Sequence, residues 1–174
     1  MVNLIILGID HRLQPRDLML KQKISELCKG FQVTLIAEEF RPGEVSVAGE
    51  AAEECGIAPP LQVDMEADER ERAGIAGVLS RYEVPRSYSY DVTLAEKPWP
   101  PPKRPYLKKA DGIREEYWLR KIEAATNNTR TLLVCGSMHV DFVAKKAEAR
   151  GHSVMAKGFF PEELQLPKFE TVDE

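Results

Sequence analysis

At 174 residues the chain has the length of one domain and can bury an apolar core without disulfide or metal staples. With 43% hydrophobic and 30% charged residues and a formal charge of -4, it reads as globular and mildly acidic. That balance argues against a general binder of nucleic acid or anionic membranes. Its three cysteines are an odd number, and Cys28 and Cys135 fall in or beside apolar runs, where free thiols pack as small hydrophobes. Met1 to Ile9 is too short an apolar stretch for a signal peptide and lacks a basic leader, and no segment has membrane-spanning length. The expectation is one soluble, cytoplasmic α/β domain over residues 1–174.

In chain order, Leu4 to Ile9, Val33 to Ala37, Leu61 to Val63, Thr131 to Cys135 and Ser153 to Met155 are short apolar runs that read as strands. Their near-continuous apolar character suits parallel strands covered on both faces. Arg16 to Lys29 places Leu18, Leu20, Ile24 and Leu27 on one helical face, with Gly30 where a C-terminal glycine cap belongs. Val45 to Cys55, Ala67 to Tyr82 and Asp111 to Ala125 read as further helices. So does Met138 to Arg150, ended by Gly151. Alternating strands and helices predict a doubly wound, mainly parallel five-stranded sheet with helices on both faces.

Glu83 to Ala110 interrupts the pattern with Pro85, Pro98, Pro100, Pro101, Pro102 and Pro105. Such a segment is expected to be neither helix nor central strand. It reads as an insertion over residues 83–110: a stiff connection, a lid over the sheet, or an extended peptide that a partner could dock. Residues 160–174 read as a loosely docked tail.

In a parallel sheet the ligand site lies beyond the carboxyl ends of the strands. Those ends are polar throughout: Gly8-Ile9-Asp10-His11, Glu38-Glu39, Asp64 and Gly136-Ser137-Met138-His139. Gly8 and Gly136 each stand three residues before a histidine, where glycine permits a sharp turn and close approach of a ligand. The free N–H groups of a helix starting after Gly136 would favour an anion or a developing oxyanion. Adjacent strand residues point to opposite faces, so Glu38 and Glu39 cannot share one pocket while the strand stays straight. Glu38, nearer the apolar run, is taken as the inner member, and Glu39 as its solvated neighbour. His152 stands at the amino end of the last strand and receives no role.

Two histidines and a carboxylate suit a divalent Mn, Zn, Fe or Co ion, with His11, Glu38 and His139 as ligands and an open position for water. Metal-bound water becomes a nucleophile near neutral pH. A metal-free alternative uses one histidine as general base, oriented by a glutamate. Residue types alone do not separate the two.

The paired Gly-x-x-His motifs bracket Leu35-Ile36-Ala37-Glu38-Glu39-Phe40-Arg41, and Ile113-Arg114-Glu115-Glu116 follows at a helix start. Together they resemble the superfamily containing TraB, the TIKI proteases, ChaN-like proteins and erythromycin esterases. The resemblance implies a parallel α/β core, one cleft shared by the histidines and glutamate, and hydrolysis, metal-dependent in the TIKI branch and metal-independent in the esterase branch. Arg114 would then be the cleft arginine, its guanidinium offering a fixed fork of donors to an oxyanion or carboxylate. The expected catalytic set is therefore His11, Glu38, Glu39, Arg114 and His139, with Gly8, Asp10, Asp64, Gly136 and Ser137 lining the ligand. A small-molecule or peptide-like substrate is the expected partner, and homo-oligomerisation is left open. The alternative is a non-catalytic domain that holds an anion or small ligand in the same cleft, in a regulatory or partner-recruiting role.

Overall fold

Leucine, isoleucine and valine runs of four to six residues bury both faces when they pair in parallel, and the chain uses them this way. The computed structural model describes residues 3–40, 46–75, 105–125 and 130–159. Among them, β1 (Leu4–Ile9), β2 (Leu35–Glu38), β3 (Leu61–Gln62), β4 (Thr131–Gly136) and β5 (Val154–Gly158) form one parallel sheet in the order β3-β2-β4-β1-β5. The helices are α1 (Leu18–Phe31), α2 (Val47–Glu54), α3 (Ala67–Arg72), α4 (Pro105–Ala125) and α5 (Val140–Ala149). The doubly wound α/β class expected from the alternation is the one the chain adopts.

Strand alternation assigns the two cores. Ile5, Leu7, Ile9, Ile36, Leu132 and Val134 meet Leu20, Ile24, Leu27 and Cys28 of α1 and the alanines of α2 on one face. Leu4, Ile6, Ala37, Leu133 and Cys135 meet Trp118, Leu119 and Ile122 of α4 and Val143 and Ala147 of α5 on the other. Cys28 and Cys135 are buried thiols that form no disulfide, as their apolar surroundings predicted.

From β1 the chain passes β4 to reach β2, and from β4 it passes β1 to reach β5. Their following segments therefore depart in opposite directions, which opens a crevice at the carboxyl ends of these central strands. His11 and His139 sit in 3-10 turns, His11–Leu13 and Ser137–His139, that follow these two strands.

Three expectations need correction. Gly30 lies inside α1, and the left-handed cap is Gln32, whose φ of 53° lets its N–H reach the carbonyls of Cys28 and Lys29. Residues 105–110, read as part of a non-helical insertion, begin α4. Proline is tolerated in the first turn of a helix, where its missing N–H would have had no partner. α3 ends at Arg72, and the rest of the helix expected to Tyr82 lies largely outside the described residues. So do residues 83–104 of the insertion and the tail at 160–174. No described helix is long and apolar enough to cross a membrane.

Ile24 is fully buried and Leu18 is 74% exposed on the same helix. Ile24→Ala should cost about 2–5 kcal/mol through lost contacts and a residual cavity, whereas Leu18→Ala should stay within about 0.5 kcal/mol. Urea unfolding of the two variants, compared with wild type, measures the difference.

Candidate functional site

The crevice collects groups from β1, β2, β4 and α4 around one carboxylate, and that carboxylate belongs to Glu39. Its Oε1 accepts from Arg114 Nη2 at 2.6 Å, and its Oε2 accepts from the Gly136 backbone N–H at 2.8 Å. His11 Nε2 lies 3.4 Å from Oε2 and His139 Nε2 lies 3.7 Å from Oε1. Glu39 is only 5% exposed, so its expected placement as a solvated neighbour is corrected. Burial would push its carboxyl up. The charges of His139 and His11, the His11 contact and Arg114 outweigh burial and hold Glu39 well below the usual carboxylate range.

Glu38 is buried on the other side. Its Oε1 accepts from Gln14 Nε2 at 2.9 Å and its Oε2 from Ser46 Oγ at 2.7 Å. Burial is the largest influence on this carboxyl and pushes it up, against the hydrogen bonds from Ser46 and Gln14. Glu38 and Glu39 do point to opposite faces, but Glu39, not Glu38, is the one that enters the crevice. Ile36 and Glu38 face α1 and α2, whereas Ala37 and Glu39 face α4, and the cleft arginine stands on α4.

Each histidine is held from behind by its other nitrogen. The 3-10 turn after β1 sets His11 and Gln14 three residues apart on one side, the spacing at which 3-10 side chains eclipse. His11 Nδ1 meets Gln14 Oε1 at 2.6 Å. His139 Nδ1 meets Glu115 Oε1 at 2.8 Å, and the Trp118 ring stands edge-on to His139 at 4.8 Å. Glu115 Oε2 in turn lies 3.1 Å from Lys146 Nζ. Asp111, Arg114, Glu115 and Trp118 recur at the i, i+3, i+4 and i+7 spacing of one helical face, which is why α4 delivers all four here.

Arg114 is the cleft arginine of the sequence expectation, but its fork is already engaged. Nε and Nη2 each donate to Asp64 at 2.9 Å, and Nη2 also serves Glu39. Burial disfavours its charge, yet the Glu39 and Asp64 carboxylates outweigh that and keep the guanidinium charged. Asp64 also accepts from Arg70 at 2.7 Å and from Trp118 Nε1 at 3.2 Å. The Gly136 N–H, expected to serve a ligand anion, serves Glu39 instead. Both groups stabilise a negative charge that the protein itself supplies.

The two motif glycines act through space rather than through a turn, and neither has a positive φ. A Cβ on Gly8 would come within 2.4 Å of Val140 Cγ2, so the strand can pass beneath the start of α5 only as glycine. A Cβ on Gly136 would lie 2.7 Å from His11 Nε2. The motifs are also offset by one residue, since Gly8 pairs with Cys135 and Gly136 with Ile9 in the ladder. Asp10 and Ser137 follow the strand ends at the rim, half-buried.

The donor types fit a divalent ion, but the expected ligand set His11, Glu38 and His139 does not assemble, because Glu38 faces Gln14 and Ser46. With Glu39 in its place, the carboxylate already carries a guanidinium. Among the described residues, no group of three or more His, Cys, Asp or Glu side chains is placed to hold a metal ion. Gln14, Ser46, Glu115 and Lys146 are absent from the expected site. The one available signal was local: Gln14 lies three residues after His11, and Glu115 adjoins Arg114.

No protein-family model, no curated protein and no solved structure matches the chain.

Two measurements bear on this geometry. A carboxyl with a depressed folded value contributes its stability fully above its ordinary value and loses it as pH falls through the folded one. For Glu39 the ordinary value is 4.5, so the urea midpoint should decline on acidification below that range, and Glu39→Gln should flatten the decline. Gly136→Ala should displace the His11 ring, costing about 1–3 kcal/mol by overpacking, with His11 ring resonances shifted in NMR spectra.

Proposed function

We propose that the protein is a hydrolase of ester or amide bonds in which His11 acts as general base on water and Glu39 stabilises the imidazolium that forms. The observation that carries this reading is a buried, ionised carboxylate facing the Nε2 atoms of two histidines at the carboxyl ends of adjacent strands. His11 is the more open of the two, its side chain 20% exposed against 9% for His139. An imidazole there can take a proton from water on Nε2, the nitrogen that faces Glu39. Proton transfer to a positioned base contributes typically about 10²–10⁴-fold to rate. A negative partner at the nitrogen that becomes protonated offsets the charge the ring acquires.

The metal-free form is favoured because Arg114 already pairs with the carboxylate that a metal ion would need. A divalent ion on Glu39 would add two positive charges beside Arg114, where buried charges are poorly screened, whereas the imidazolium formed from His11 adds one. Resemblance to the superfamily of TraB, TIKI, ChaN-like and erythromycin esterase proteins supports hydrolysis as the reaction class. Its metal-independent esterase branch is the one whose chemistry suits this arrangement.

The test is a screen with p-nitrophenyl acetate, a chromogenic peptide anilide and p-nitrophenyl phosphate, with and without EDTA. Turnover of the ester or anilide, insensitive to EDTA and lowered about 10²–10⁴-fold by His11→Ala and Glu39→Gln in folded protein, is the expected result. Undiminished turnover in both variants would remove the site from the reaction. Loss of turnover in EDTA with recovery on adding Mn or Zn would replace the metal-free form with a metal-dependent one. Absence of turnover with saturable binding of a small anion would favour a ligand-binding domain.

A further inference from the structure

We infer that Gln14 and Glu115 are positioning residues that lock His11 and His139 with the ring proton on Nδ1, so that both Nε2 atoms are presented to Glu39. The role this gives them in water activation rests on the hydrolase reading. The assignment of the ring protons does not.

On the His11 side the fixed point is the amide of Gln14. Its Nε2 lies 3.1 Å from the Glu39 carbonyl oxygen, which can only accept, and 2.9 Å from Glu38 Oε1. Turning the amide over would set its oxygen against that carbonyl oxygen, so the amide has one workable orientation. Its Oε1 therefore faces His11 Nδ1 at 2.6 Å, and an amide oxygen can only accept. The proton is on Nδ1.

Gln14 cannot easily yield. It is fully buried, and its carbonyl oxygen accepts from Val47 N at 2.8 Å. Behind it Glu38 is fixed by Ser46, the N-cap of α2, through Oγ at 2.7 Å. The chain Ser46, Glu38, Gln14, His11 thus runs from a helix start to the catalytic ring. This gives Glu38 a task that needs no contact with substrate: it holds the amide that holds the histidine.

His139 reaches the same state by a different partner. Glu115 Oε2 lies 3.1 Å from Lys146 Nζ, and Lys146 also donates to the Gly112 carbonyl at 2.7 Å. A carboxylate paired with an ammonium is an acceptor, so the 2.8 Å contact from Oε1 requires a proton on His139 Nδ1. Trp118 fixes the ring plane from its edge.

The consequence is directional. Each neutral ring has its only lone pair on Nε2, 3.4 Å or 3.7 Å from a Glu39 oxygen. A lone pair facing a carboxylate is unfavourable until a cation arrives on that line, and the proton taken from water is such a cation. Free imidazole side chains favour the opposite form, with the proton on Nε2, and a ring in that form could not act as base at this point. Partners that fix the tautomer are a recurring way to aim a functional histidine.

The test uses the full chain labelled with ¹⁵N in its histidine rings and long-range ¹H–¹⁵N spectra at alkaline pH, where the rings are neutral. The chain has three histidines, and His152 offers Nε2 to Glu123 at 3.2 Å, so it should show the opposite form and serve as an internal reference. The expected result is a proton on Nδ1 in His11 and His139 and on Nε2 in His152. Gln14→Met should convert His11 to the Nε2–H form and leave His139 and His152 unchanged, which also reports an intact fold. Glu115→Gln keeps an acceptor oxygen for His139 Nδ1 and should retain its form, whereas Glu115→Leu should not. A wild-type spectrum with the proton on Nε2 of His11 or His139 overturns the proposal without any variant, as does a Gln14→Met spectrum in which His11 stays unchanged. If the tautomers are as expected and no substrate turns over, the positioning stands and the hydrolase reading fails.

Discussion

Burying the charge of Glu39 is the constraint that the surrounding structure answers. A lone carboxylate in a sheet crevice would take up a proton or draw in water, because removing it from water costs several kcal/mol. Here a guanidinium, a backbone N–H and two imidazoles surround it, and each of these needs support of its own. Arg114 is steadied by Asp64, His11 by Gln14, His139 by Glu115, and Gly136 by the β4 ladder. Removing any one support exposes the next group to an unpaired neighbour. Elements as distant in the chain as the turn after β1, the end of β3 and the middle of α4 are coupled through that single charge.

Two adjacent glutamates thereby acquire opposite characters. Glu39, paired with Arg114 and faced by two imidazoles, is held well below the usual carboxylate range, whereas Glu38 meets neutral donors and is pushed up by burial. Environment divides them, as it does in enzymes that use two carboxyl groups for different tasks. The division follows from the pleat of β2, which sends one residue toward α2 and the next toward α4. Proteins that need one charged and one neutral carboxyl close together can obtain both from consecutive residues at a strand end.

Much of this was legible in the order of residues. The apolar runs located all five described strands, their ends agreeing within two residues except that β5 runs three residues past Met155 to Gly158, since buried parallel strands leave a continuous apolar trace. The polar rim followed from the rule that ligand sites collect at strand carboxyl ends, and His11, His139 and Arg114 do converge there. Helix ends were less legible. Gln32 rather than Gly30 caps α1, because the cap depends on where the chain must turn to enter β2. Pro105 begins α4, because a proline that opens a helix and a proline that forbids one look alike in sequence.

The sequence by itself determined the parallel α/β class, the rim of polar groups, and the rule that Glu38 and Glu39 must part company, because pleat and periodicity are properties of the local chain. Which glutamate joins the histidines was decided only by the tertiary structure. A short strand has no intrinsic inner face; it acquires one from the helices that cover it, and α4 lies 75 residues along the chain at Arg114. The same holds for the partners that aim the rings. Gln14 looked like any loop amide until Glu38 and Glu39 were folded against it, and Glu115 like any helix-surface carboxylate until His139 arrived. Their character depends on neighbours that only the closed sheet brings within hydrogen-bonding distance.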